Sequence, residues 1–161
     1  MAVHKLTLDD VFEDVSCTLI ALHCTIEDYR LAYLLNLHLN TGFKRKTKDL
    51  EFNKGLAKYP IFEYEDMKNQ NTWNLVSNIC KVETKAKGVA ESLFNMDSTV
   101  VKTYNFMPGY RKVNYFLKVD SPLYIGKTKQ IINKVLSIPH VAMAYVVAVE
   151  SLKYKEHLIF D

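Results

Sequence analysis

Glycine is scarce in this chain: the five at 42, 55, 88, 109 and 126 are too widely spaced to form a loop that cradles phosphates. That excludes a P-loop and a dinucleotide-binding fingerprint, both of which need clustered glycines so that the backbone can approach a phosphate closely. No Gly-x-Ser-x-Gly turn occurs, which removes hydrolases built on that elbow. Cysteine is equally sparse, and Cys17, Cys24 and Cys80 are an odd, unpaired set. Such usage fits reduced thiols and a cytoplasmic protein better than a disulfide framework. Long apolar runs are missing as well. The longest, Val141 to Val149, falls well short of the roughly 20 residues a membrane-spanning helix needs. The acids Asp9, Asp10, Glu13 and Asp14 near the start replace the basic-then-apolar order of a signal peptide, so no export is expected. A net charge of +3 does not by itself indicate nucleic acid.

Apolar residues make up 48% of the chain and charged residues 24%, the balance of an ordinary globular protein. At 161 residues one hydrophobic core is the natural solution, so a single domain over 1–161 is expected. Cys17 to Cys24 is short and nearly all apolar, which predicts a buried strand. Thr25, with Asp28 three residues on, resembles a helix N-cap. A helix should follow from Ile26 to about Asn40, with Leu31, Leu34, Leu35 and His38 on one face, Leu37 and Leu39 widening it so that the helix is well covered, and Thr41-Gly42 ending it. Further strands are predicted at Ile61 to Asp66 and Thr72 to Cys80 around a polar hairpin turn, with the Trp73, Leu75, Ser77 and Ile79 face as the core side. Residues 81–103 show no period and predict an irregular insertion. Tyr115 to Val119 reads as a strand, and Ile125 to Leu136 as a second helix stopped at Ser137-Ile-Pro139. Val141 to Val149, unbroken in its apolar character, reads as a central strand covered on both faces. The fold class expected is an α+β sandwich: a mixed, mostly antiparallel sheet with two helices on one face.

Several phrases form a set: Lys5-Leu-Thr-Leu8, Glu27-Asp-Tyr-Arg-Leu31, Leu35-Asn36, Phe62-Glu-Tyr-Glu-Asp66, Leu75-Val-Ser-Asn78, Asn114-Tyr-Phe-Leu117, Ser137-Ile-Pro139 and Leu158-Ile-Phe160. Together they resemble the bacterial IPExxxDY family over almost the whole chain. The name-giving motif falls on Met107 to Tyr115, where Pro108 and Tyr115 match while Gly109 stands for glutamate and Asn114 for aspartate. Neither glycine nor asparagine can serve as a general base or an anionic metal ligand, so the segment is expected to be structural. The resemblance implies a bacterial cytoplasmic protein and carries no activity.

No catalytic, cofactor or metal constellation stands out. Cys24 precedes a helix start, where a thiolate would be stabilised, but strand alternation sends it and His23 to opposite faces. Cys17 and His23 share a face yet lie roughly 20 Å apart along a strand, too far for one ion. Glu63 and Glu65 would stand roughly 7 Å apart on one strand face, which is also the ordinary outward face of a half-buried strand. Tyr29 and Arg30 are candidates for a protein-recognition surface, since tyrosine and arginine are enriched at interface hot spots. Lys44, Arg45, Lys46 and Lys48 open a basic strip, continued by Lys54 and Lys58, that could meet phosphates or simply guard an edge strand. Three functions follow. The first is a non-enzymatic adaptor or accessory protein holding a protein partner. The second is an RNA- or ribosome-associated factor using the 44–58 strip. The third is an enzyme whose site is assembled from residues distant in sequence.

Overall fold

The computed structural model describes residues 16–85 and 99–160. Among the described residues ten strands and two helices follow one another as β1 (Thr18–Cys24), α1 (Asp28–Leu39), β2 (Lys44–Arg45), β3 (Leu50–Phe52), β4 (Ala57–Tyr59), β5 (Ile61–Asp66), β6 (Asn71–Ser77), β7 (Ile79–Lys85), β8 (Thr99–Asn105), β9 (Tyr115–Val119), α2 (Ile125–Leu136) and β10 (Val141–Val147), then two short 3-10 turns. Six strands form the main sheet in the order β10-β1-β9-β6-β5-β2. Every pairing in it is antiparallel, so the α+β class holds while no parallel pair mixes the sheet.

Alternation divides the core in two. Ile20, Leu22 and Cys24 of β1, Phe62, Trp73, Leu75, Tyr115, Leu117 and Val119 point toward the helices, where Leu31, Ala32 and Leu35 of α1 and Ile131 and Val135 of α2 cover them. Both helices therefore lie on one face, as expected. The opposite residues, Leu19, Ala21, Ile61, Val76, Phe116 and Val147, are sealed by Ala57 and Tyr59 of β4, by Phe106, Met107 and Val113, and by Val149 and Leu158. The expectation of one core side on β6 is corrected accordingly, because Val76 is buried and Asn74 with it.

Local chemistry moves several boundaries. Thr25 does not cap α1; Glu27 precedes the first turn in extended geometry and makes no side-chain cap bond. The passage into the helix is held instead by Tyr115, whose hydroxyl donates to the carbonyl of the buried Ile26 at 2.6 Å. At the other end Asn40, not Gly42, adopts the left-handed conformation (φ 54°), which asparagine tolerates better than most residues. Asn36 then ties down the exit, accepting from the Phe43 amide at 2.7 Å and donating to its carbonyl at 3.1 Å.

The predicted strand through Cys80 is broken at Asn78, and the expected irregular insertion is a strand pair over most of its described part. Lys81–Lys85 and Thr99–Thr103 belong to the β7–β8 ribbon, in register from Ile79 opposite Asn105 to Lys85 opposite Thr99. Val141–Val147 is also corrected: β10 is an edge strand, with β1 its neighbour among the described residues, and much of it is exposed.

Candidate functional site

Three surfaces carry the residues singled out in the sequence: the outer face of α1, the basic strip around β2, and the segment Met107 to Tyr115.

On α1 the apolar positions outnumber what the sheet can cover. Leu31, Ala32 and Leu35 face inward, whereas Tyr29, Tyr33 and Leu37 are each about two-thirds exposed, at 66, 65 and 67%. At spacings of four residues these three fall on one helical face, turned away from the core, with exposed Arg30 on the same outer side. The expectation that this helix is well covered is thereby corrected. Tyr29 and Arg30 are placed on an open surface; Leu37, expected to widen the covered face, is corrected to this outer side, and Tyr33, which the sequence did not single out, joins it. A 3.6-residue count centred on Leu31 and Leu35 would have left them on the far side, but the many leucines of the helix hid that phase.

Charge over the helix layer is uneven. α2 carries Lys127, Lys129 and Lys134 and no acid, and Arg30 adds to them from α1; Glu27 and Asp28 are the acids at the α1 start. His38 Nδ1 and Ser137 Oγ, 3.1 Å apart, join the helices at their C-terminal ends. Between α1, α2 and the β5–β6 turn opens a cleft of about 670 Å³, with Tyr64 and Trp73 near its base and Lys127, Gln130 and Lys134 on its wall. Asp66 at its rim is engaged in the turn itself. Hydrogen bonds from the Asn69 side chain, then from the Asn69 and Lys68 amides, hold its carboxyl below the usual range.

Several cations of the basic strip already have partners. Arg45 pairs with Asp49, Lys46 reaches Glu63 at 3.0 Å, and Lys58 reaches Glu51 at 3.0 Å. Lys44 and Lys48 are exposed and have no ion pair among the described residues. β2 is two residues long, charged, and at the edge of the sheet, the arrangement by which a sheet edge is blunted. Glu63, one of the two carboxylates on the β5 face, is thus a structural partner of Lys46, and it also accepts from Asn74 at 3.4 Å.

The motif segment is fixed by two asparagines. The buried Asn78 donates from its amide to the carbonyls of Tyr110 and Val113, both at 2.8 Å, and accepts from the Met107 amide at 2.8 Å. Its backbone completes the lock, donating to Asn114 O and accepting from Phe106 N, each at 2.9 Å. Asn114, standing where the family pattern has aspartate, accepts from the Cys24 amide at 3.0 Å and donates its own amide to Leu22. The hydrogen bonds of Asn78 and Asn114 thus join this segment to β1 and to the end of β6.

Burial governs Cys24 and Tyr59. Burial pushes the Cys24 thiol up, against a smaller opposite effect of the Ile26 amide, which is the reverse of an activated thiolate. Burial likewise raises the Tyr59 hydroxyl to about 12. Lys118, nearly covered, lies between Asp120 and the ring of Phe160. Among the described residues no three His, Cys, Asp or Glu side chains gather as metal ligands, and no helix is long and apolar enough to cross a membrane. No protein-family model, curated protein or solved structure matches the chain.

Proposed function

We propose that this protein is a non-enzymatic interaction module, an adaptor or accessory protein of the bacterial cytoplasm, that holds a protein partner on the outer face of α1. The observation that carries the reading is the aligned exposure of Tyr29, Tyr33 and Leu37 on a helix whose inner face is fully used. Large apolar side chains exposed singly are ordinary, but three in register on one face form a strip that water solvates poorly. Tyrosine adds a hydroxyl to a large contact area, and Arg30 beside it supplies a charge-assisted donor. Because Arg30 and the α2 lysines outnumber the acids on this layer, the fitting partner is an acidic amphipathic segment that lays its apolar side on the strip. Membership of the IPExxxDY family belongs to the same proposal. It is supported by the structural use of Met107 to Tyr115, which asks nothing of the two missing acids.

The test is capture from the native cytoplasm by the tagged chain, in parallel with a Tyr33→Asp/Leu37→Asp variant and with ribonuclease-treated extract. Both side chains are exposed, so the variant keeps its fold, checked by circular dichroism. The reading predicts a defined acidic protein retained by the parent chain, unaffected by ribonuclease, and lost from the variant. Retention that is equal in both, or that disappears with ribonuclease, contradicts it.

A further inference from the structure

The two edges of the main sheet are built differently. One ends in β2, two residues long and charged. The other ends in β10, seven residues long, and from Val141 through Val149 it contains no charged residue and no proline. An edge strand leaves alternate amides and carbonyls pointing outward, and lysines, prolines, brevity and bulges are the devices that keep such a row from pairing. β10 has only the last. The register with β1 slips at Ala142, between Met143 opposite His23 and Val141 opposite Cys24, so Met143–Val147 is a regular stretch that, among the described residues, has no strand on its outer side.

The side chains beside this edge are apolar on both faces of the sheet. Val146 shares the helix face with Ile20, and Met143 shares the other with His23; they are 49 and 53% exposed. α2 packs against β10 and buries Thr128, Ile131 and Val135. On its outer side Ile125 is 75% and Leu136 43% exposed, while the partly buried Ile132 packs against the core. In the sequence, Ile125, Ile132 and Leu136 keep helical spacing with Thr128 and Val135. A groove of about 530 Å³ runs between Ile125, Ile132 and Val146, with Lys129 and Glu150 supplying one charge of each sign to its lining.

We infer that β10 pairs antiparallel with β10 of a second copy of this chain, joining two six-stranded sheets into one across a two-fold axis. Independent of the α1 reading, the inference rests on self-complementarity. An uncharged strand can face its own copy without like-charge repulsion, and an antiparallel pairing satisfies both rows of backbone groups in an isologous contact. The spacing also fits. Adjacent strands lie about 4.8 Å apart and packed helices about 8–10 Å, so two helices each seated over their sheet's last strands meet along the side bearing Ile125 and Leu136.

Sedimentation velocity of the full chain, from micromolar to sub-millimolar concentration, tests this. A dimer is expected, weakened roughly tenfold or more by Val146→Lys and by Met143→Lys, since a lysine on the edge disfavours strand addition. Both positions are half exposed, so the circular dichroism spectrum should not change. Leu37→Asp on α1 should leave the dimer intact. A chain that is monomeric throughout, a dimer indifferent to both lysines, or one abolished by Leu37→Asp overturns the inference.

Discussion

Asn78 concentrates more of this fold in one side chain than any apolar residue does. Its amide group satisfies three buried backbone groups of the 107–113 segment, and its own main chain bonds on both sides. Replacement by alanine removes those bonds and leaves a buried donor and two acceptors without partners, at about 1–3 kcal/mol for each unsatisfied group and less than their full sum. We expect Asn78→Ala to lose about 2–4 kcal/mol in chemical denaturation. A loss below about 0.5 kcal/mol, the range of ordinary surface changes, would contradict this role. Asn114 follows the same logic. The departure from aspartate, read in the sequence as pointing to a structural motif, leaves a side chain that accepts from the Cys24 amide.

Among the elements, the β7–β8 ribbon stands apart. Apart from its base near Asn78, it is a two-stranded ladder with mostly exposed side chains, and Val100 and Val101 stand in solvent. Two strands alone are marginal in water, whereas β1 and β9 are buried on both faces. Hydrogen exchange on the free protein should therefore release amides of Val82–Lys85 and Thr99–Val101 well before those of Leu19–Leu22 and Phe116–Lys118. Equal protection would show the ribbon to be covered. The sequence disclosed β1, β5, β6, β9 and both helices, because short apolar runs and helical spacing record burial directly. It hid the ribbon, whose alternating Lys, Val, Glu and Thr bury little and so leave no period. It misplaced β10, because apolar character alone does not separate a strand covered in its own chain from one left open at an edge. Tyr29 and Arg30 were legible as surface residues, but the strip they belong to depends on the phase of α1 over the sheet, which Tyr33 and Leu37 reveal only once the helix is docked.

For the molecule as a whole, the layers assign separate tasks to separate faces. The helix layer offers an apolar strip with Arg30 on the same side of α1, the far layer is closed by Tyr59, Phe106 and Leu158, and the charged β2 edge blocks sheet extension on one side. A pair of copies joined through β10 would carry two α1 strips, so a partner with two acidic segments would bind with increased avidity. The most direct measurement of the central claim is hydrogen exchange across the chain with and without its captured partner. New protection over Tyr29–Leu37, with the 44–58 strip and the β7–β8 ribbon unchanged, is the result predicted. Protection confined to the strip or the ribbon, with α1 exchanging as in the free protein, would contradict it.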